Sequence, residues 1–171
     1  VLPDTNGKLL NKLQSLMDQC LVTPQSRILY VDDGSRDATW SLIDQYHMEN
    51  ELVSGVKLAH NRGHQNALLA GLAVAQERCD CAISLDADLQ DDIDVFEEFL
   101  EKFEAGCDIV YGVRKKRETD TFFKRTTAQG FYKVMAAMGV ELVYDHADYR
   151  LMSSRALAAL MQYKEVNLFL R

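Results

Sequence analysis

The chain has 171 residues, 47% of them hydrophobic, which is enough for one domain with a substantial core. Its net charge of −7 argues against general nucleic-acid binding, because that function needs a basic face. We find no signal peptide and no apolar run near the ~20 residues of a membrane span, so we expect that this stretch of chain does not itself cross a membrane.

The charges are distributed unevenly. Nine acidic residues and one lysine lie between Asp86 and Glu104, whereas the segment from Arg114 to Arg125 is rich in arginine and lysine. A cation-binding region therefore precedes an anion-binding region.

The four cysteines lie in apolar or predicted helical segments. One residue separates Cys79 from Cys81, where a zinc knuckle has two, and no second pair follows at ligand spacing. We therefore expect buried free thiols in a reducing, cytosolic compartment.

Apolar residues recur every three or four positions over Lys8–Cys20, which predicts an amphipathic helix. Strands and helices then alternate with short connections, which predicts a parallel sheet with right-handed crossovers. The predicted strands are Arg27–Val31, Ser54–Ala59, Asp80–Leu85 and Asp108–Val113; the predicted helices run from Asp37 as cap to Tyr46, over Gln65–Glu77, and over Asp92–Ala105 with Gly106 closing it.

The pattern changes after Val113. Thr121–Met138 predicts a helix that mixes aromatic and basic residues. It is typical either of a surface that touches lipid headgroups or, more commonly, of an amphipathic helix packed on the sheet. A final helix is predicted from Ser153 or Ser154 to Tyr163.

Polar clusters follow the predicted strands at their carboxyl ends, where ligands collect in parallel sheets. They are Asp32-Asp33, Asn61-Arg62-Gly63, Asp86-Ala87-Asp88 and Arg114. An Asp-x-Asp segment alone is more often a solvated acidic loop. Four loops that place polar groups at one edge are far harder to explain by chance and indicate a binding site.

Asp86 and Asp88 project from the same face of an extended chain, so their carboxylates repel each other unless a cation lies between them. Hard oxygen ligands of this kind suit Mg²⁺ or Mn²⁺, particularly when the metal also binds phosphate. A carboxylate of the Asp32-Asp33-Gly34-Ser35 segment could accept a hydrogen bond from a ribose hydroxyl or from uracil N3–H, although Asp, Gly and Ser equally favour a turn with a helix cap.

Other common sites are missing. The chain has no phosphate-binding Gly-x-x-x-x-Gly-Lys loop, no dinucleotide-binding Gly-x-Gly-x-x-Gly and no Gly-x-Ser-x-Gly elbow. The four histidines lack the spacing of a zinc site.

The motifs together resemble inverting glycosyltransferases of family 2, specifically the polyprenyl-phosphate (undecaprenyl- or dolichyl-phosphate) sugar transferases. The segments that carry the resemblance are, in order, Val31–Asp37, Asn61–Gly63, Asp86–Gln90, Gly112–Arg114 and His146–Leu151. The resemblance covers nearly the whole chain. It implies an α/β, Rossmann-like fold of the GT-A type, with a mostly parallel sheet flanked by helices.

The resemblance also implies roles for individual residues. Asp33, Arg62 and Asp86 are similar to nucleotide-binding residues, and Asp88 with Asp86 matches the ligands of Mg²⁺ or Mn²⁺. Asp148 matches the proposed catalytic base. The acceptor and its phosphate are expected at Gln90, Arg114, Arg125 and Arg150.

Family members begin with a strand and a Pro-x-Tyr-Asn-Glu turn, and this subgroup continues into membrane helices. We therefore expect residues 1–171 to be a single catalytic domain lacking that first strand and those helices. The fragment is expected to be soluble, and the full protein to be an integral membrane protein at the cytoplasmic face that touches the membrane through regions outside the fragment. A homo-oligomer is compatible with the sequence.

The implied reaction moves a sugar from a nucleotide-diphosphate sugar, with UDP-sugar the expected donor, to a polyprenyl phosphate with inversion at the anomeric carbon. Two alternatives stay open: a family 2 transferase that acts on a saccharide, and a sugar-nucleotide-binding or interaction module without turnover.

Overall fold

The computed structural model describes residues 1–113 and 146–163. Helices and strands alternate along most of this range. In chain order they are α1 (Leu2–Asp18), β1 (Ile28–Asp32), α2 (Thr39–Glu49), β2 (Val53–Lys57), α3 (His64–Gln76), β3 (Cys81–Ser84), a 3₁₀ turn (Ile93–Val95), α4 (Phe96–Glu104), β4 (Ile109–Val113), β5 (His146–Ser153) and α5 (Ser154–Leu160). The predicted helix over Thr121–Met138 lies outside the described residues.

The strands form two sheets in the described part of the chain. β1 pairs with β2 in parallel, with α2 as the crossover between them. In the second sheet, β5 lies between β3 and β4 and is antiparallel to both. The sequence predicted β3 and β4 as strands of a parallel sheet. It did not predict β5, because the strands with which β5 pairs are distant in sequence and leave no local signal.

Helix α1 begins six residues earlier than predicted, at Leu2 rather than Lys8. Pro3 lies in its first turn, where backbone N–H groups have no partner within the helix, so the missing N–H of proline costs nothing. The helix ends in a turn that bonds Leu21 N to Leu16 O at 3.0 Å and gives Cys20 a positive φ of 57°. Cys20 is therefore exposed rather than buried.

The expectation of buried thiols is wrong for two of the four cysteines. Cys20 and Cys107 are both exposed, because each follows the end of a helix where the chain turns at the surface. Cys79 and Cys81 are partly buried around the start of β3. Burial raises the pKa of Cys79 and raises that of Cys81 to about 11.

Local signals at the helix ends are confirmed with small shifts. Asp37 lies one residue before the N-cap of α2, Ala38, and accepts the amide of Thr39 at 3.0 Å. Asp92 caps the 3₁₀ turn by accepting the amide of Asp94 at 2.9 Å. Gly106 follows α4 with a positive φ of 97°. Ser153 caps α5 by accepting the amide of Ala156 at 3.1 Å.

One hydrophobic core joins the two sheets. Leu9 and Leu16 of α1 pack in the same cluster as Tyr30 of β1, Val53 of β2 and Leu151 of β5. Val53 and Leu151 are fully buried. Among the described residues, no helix combines the length and apolar character needed to cross a membrane.

Candidate functional site

Within each sheet, the strand ends that precede the predicted polar clusters lie next to one another. Asp32, the last residue of β1, pairs with Lys57, the last residue of β2. In the second sheet, Arg150 of β5 pairs with Ser84 at the end of β3 and with Tyr111 near the end of β4. Arg150 therefore stands between the ends of the strands that lead to Asp86 and to Arg114.

Asp33 joins two of the predicted clusters. Its Oδ1 accepts the amide of Arg62 at 2.6 Å, and its Oδ2 accepts the amide of Gly63 at 2.9 Å. Both carboxylate oxygens thus bind the loop before α3. The structure brings Asp33 and the backbone of Arg62 together, and the carboxylate of Asp33 holds the loop backbone. Their roles in nucleotide binding stay predictions.

Asp32 is the more buried of the two aspartates, with 2% of its surface exposed. Its Oδ1 accepts the amide of Ser35 at 3.2 Å, whereas its Oδ2 is buried with no hydrogen-bond partner in the described structure. Such an acceptor costs free energy unless a donor reaches it. Asp32 was predicted only as a member of the Asp32-Asp33 cluster, without a separate role.

The turn after β1 packs closely against the loop that contains Arg62. Gly34 has a φ of 68°, and a Cβ there would lie 2.6 Å from the carbonyl carbon of His60. Only glycine adopts this positive φ readily and also leaves that space free. The exposed guanidinium of Arg62 contacts the ring of His60, with Nη2 2.8 Å from Nε2.

The segment after β3 turns sharply at the predicted metal ligands. Leu89 N bonds Asp86 O at 3.2 Å, and Leu89 has a positive φ of 49°. The side chain of Gln90 donates from Nε2 to Asp88 Oδ2 at 2.8 Å. The backbone amide of Gln90 donates to Asp88 Oδ1 at 3.1 Å. Asp88 and Gln90 are both exposed, and Asp86 is partly exposed.

The carboxylates fit a divalent cation only with ligands from outside the chain. Among the described residues, no group of three or more His, Cys, Asp or Glu side chains is placed to hold a metal ion. Mg²⁺ commonly binds one or two carboxylates together with substrate phosphates and water. Asp86 and Asp88 have the chemistry for that arrangement rather than for an all-protein site.

An open cavity of about 290 Å³ adjoins this turn. Gln90 lines it together with Asp91 and Asp92, and Lys8 of α1 supplies a cation at its wall. Gln90 thus borders a space that a ligand could enter, which is compatible with its predicted position beside the sugar and the acceptor phosphate.

The strand β5 carries two of the predicted residues. Arg150 is 6% exposed, and its guanidinium lies 5.7 Å from the centre of the Tyr111 ring. Asp148 lies in the same strand at a bulge, where residues 147–149 stand opposite the single residue Gly112. Bulges often occur next to active sites, where they redirect side chains. The side chain of Asp148, like Arg114 and Arg125, lies outside the described residues.

Two further residues contact the segment that carries the aspartates. The hydroxyl of Thr5 donates to Ala87 O at 2.7 Å, and the hydroxyl of Tyr149 donates to Asp92 O at 2.7 Å. Sequence reasoning missed both, because Thr5 lies 82 positions from its partner and Tyr149 lies 57 from its own.

Comparisons with known proteins identify the class. The model of the family described as glycosyl transferase family 2 matches residues 6–161. The chain therefore belongs to glycosyl transferase family 2, as its motifs predicted. The α/β architecture with its parallel β1–β2 pair and flanking helices is that of the Rossmann-like GT-A fold.

Individual relatives are similar over most of the chain. An "uncharacterized glycosyltransferase YkoT" of Bacillus subtilis is 54% identical over 171 residues, which are 100% of this chain and 51% of that protein. The "bactoprenol glucosyl transferase" of Shigella phage SfV and the homologous prophage protein of Escherichia coli K12 are each 37% identical over 84% of this chain and 47% of their own length. The chain thus spans about half the length of these relatives.

Proposed function

We propose that the full protein transfers a sugar from a UDP-sugar to a polyprenyl phosphate, with inversion at the anomeric carbon. The observation that carries this proposal is the 37% identity with bactoprenol glucosyl transferases over 84% of the chain. The residues after the strands support it: carboxylates follow β1 and β3, the guanidinium of Arg62 follows β2, and an open cavity adjoins the turn after β3.

The first half of the site would bind the nucleotide. Asp33 holds the backbone of Arg62 and Gly63 in place. The exposed guanidinium of Arg62 contacts His60 through Nη2, and its planar face is proposed to stack on a base. The buried Oδ2 of Asp32 is a second candidate acceptor, which could bind an N–H group of the ligand such as that of uracil. A ligand donor there would offset the cost of that buried acceptor.

Asp86 and Asp88 would hold Mg²⁺ or Mn²⁺ together with the phosphates of the donor. When bound, this cation supplies neutralising charge for the diphosphate leaving group. The side chain of Gln90 restrains the carboxylate of Asp88 through the hydrogen bond from Nε2 to Oδ2, so replacing Gln90 should weaken donor binding even though it carries no charge.

The second half of the site would bind the acceptor. Arg150 lies between the ends of β3 and β4, and Arg114 and Arg125 are proposed to bind phosphate with it. A phosphate monoester with a second pKa of about 6 is already mostly ionised at neutral pH, so it hardly needs a base. Asp148 is then either a general base or a carboxylate that orients the arginines.

The test is a radiolabelled transfer assay on the full-length protein, with several UDP-sugars and undecaprenyl phosphate. We expect label in the lipid fraction, which depends on Mg²⁺ or Mn²⁺ and is lost in Asp88→Asn. Transfer to a soluble glycan with none to lipid would identify the saccharide-acceptor alternative. UDP binding without any transfer would identify a non-catalytic module.

A separate comparison tests Asp148. If the carboxylate acts as a base, Asp148→Asn and Asp148→Ala should both lose transfer, with the loss greatest at low pH. If it orients the arginines, both should raise the KM for the lipid more than they lower kcat. Full activity in both variants would remove Asp148 from the mechanism.

A further inference from the structure

The segment that carries Asp86 and Asp88 lies outside both sheets, and two hydroxyl groups from distant elements hold its backbone. Thr5 of α1 donates to Ala87 O, and Tyr149 of β5 donates to Asp92 O, each at 2.7 Å. We propose that Thr5 and Tyr149 are positioning residues that hold the aspartate turn in its binding geometry. This inference rests on the proposed function.

Thr5 acts on the peptide bond between the two aspartates. The carbonyl of Ala87 belongs to the peptide that leads into Asp88, so a hydrogen bond to its oxygen fixes the orientation of that peptide plane. A hydroxyl has one hydrogen to donate. Ala87 O at 2.7 Å is nearer to Thr5 Oγ1 than Val1 O at 3.2 Å, so the loop carbonyl is the main acceptor.

The helix that carries Thr5 is itself firmly held. Thr5 is 2% exposed, and the neighbouring Asn6 accepts a hydrogen bond from the buried hydroxyl of Tyr30 at 3.2 Å. Two turns after Thr5, Lys12 Nζ forms ion pairs with Asp94 at 3.1 Å and with Glu97 at 2.8 Å. The hydrogen bond from Thr5 therefore anchors the turn to a helix that is itself packed in the core.

The turn needs such support. Leu89 has a φ of 49°, a conformation that costs a non-glycine residue about 1–2 kcal/mol. Strained backbone of this kind persists only where the surroundings hold it. The bonds from Gln90 to Asp88 lie within the turn, whereas those from Thr5 and Tyr149 tie it to the rest of the protein.

Tyr149 connects the other end of the segment to the acceptor strand. It is 5% exposed, and its ring centre lies 4.9 Å from that of Phe99 and 6.2 Å from that of Phe96. It stands between Asp148 and Arg150 in the bulge of β5. A single buried residue thus links the backbone of the metal-binding segment to the strand proposed to bind the acceptor.

The experiment uses the full-length protein with Thr5→Val, which keeps the shape but removes the donor, and Thr5→Ser, which keeps the hydroxyl. Tyr149→Phe removes the second donor and keeps the ring. Thr23→Val and Tyr163→Phe are matched controls, because both residues are exposed. The measurements are UDP affinity with and without Mn²⁺, amide hydrogen exchange at residues 86–92, and thermal stability.

We expect Thr5→Val and Tyr149→Phe each to weaken Mn²⁺-dependent UDP binding by about tenfold, the equivalent of one lost hydrogen bond. Exchange at residues 86–92 should become faster, binding without Mn²⁺ should change little, and Thr5→Ser should restore wild-type values. Lower thermal stability with unchanged Mn²⁺-dependent binding would overturn the inference. Wild-type protein without Mn²⁺-dependent UDP binding would instead contradict the proposed function.

Discussion

The ring of Tyr149 fills the space that a side chain at Gly112 would need. A Cβ on Gly112 would overlap Cδ1 of Tyr149 and lie 2.9 Å from its Cε1. Gly112 stands opposite the bulge of β5, so this contact is where β4 and β5 depart from regular pairing. The missing side chain lets the tyrosine reach Asp92 while Arg150 stays in register with Tyr111.

We predict that Gly112→Ala destabilises the protein by about 1–3 kcal/mol, because the added methyl group overpacks a buried ring. Gly7→Ala is the matched control, since nothing lies within 4 Å of a Cβ there and the position is inside α1. That change should stabilise the protein by about 0.5–1 kcal/mol. Urea unfolding of both variants measures the difference, and equal free energies of unfolding would contradict the packing argument.

We predict that Asp33→Ala loosens the loop that it holds. The amides of Arg62 and Gly63 lose their acceptor, so their hydrogen exchange should become faster and UDP affinity should fall by about tenfold or more. Asp37→Ala is the control, because among the described residues Asp37 bonds only Thr39 at the start of α2. A loop that exchanges as slowly in Asp33→Ala as in wild type would show that other contacts hold it.

We predict an acid-dependent contribution to stability from Asp108. The hydroxyl of Ser153, with Arg155 nearby, lowers the pKa of Asp108 below its ordinary value of 3.8. A lowered folded-state pKa stabilises the protein fully above the ordinary value, and the contribution is lost as the pH falls through the lowered value. Asp108→Asn should therefore be less stable than wild type at pH 7, and this difference should shrink below pH 3.8.

The effect at Asp108 should be small, since its side chain is 45% exposed. Urea unfolding from neutral to acidic pH measures it, with exposed Asp44→Asn as the control. A difference between wild type and Asp108→Asn that stays constant across the acidic range would contradict the assignment.

We predict two classes of thiol. Cys20 and Cys107 are exposed and should react with a disulfide reagent at pH 8 within the first kinetic phase. Cys81 should react far more slowly, because burial raises its pKa to about 11 and limits access. Stopped-flow labelling followed by peptide mass spectrometry identifies each site. Labelling of Cys81 as fast as that of Cys107 would contradict its burial.

The sequence was sufficient to predict strands, helices and caps wherever the signal for them lies within a few neighbouring residues. The periodicity of hydrophobic residues, together with turn-forming residues, located β1 to β4 and the helices between them to within a few residues. Capping residues located the helix ends at Asp92, Gly106 and Ser153. The clusters at Asp32, Arg62 and Asp86 could be located because strand ends are visible in sequence. The parallel pairing of β1 with β2 accounts for the contact between Asp33 and the loop of Arg62. Family motifs then identified the class of protein.

Tertiary structure alone decided the contacts between distant segments. No local pattern indicates that β5 enters antiparallel between β3 and β4, that Asp33 holds the backbone of another loop, or that Thr5 bonds Ala87 across 82 positions. Local periodicity reports only which face of an element is apolar. Which partner meets that face, and which hydroxyl reaches a given carbonyl, depends on how the whole core packs.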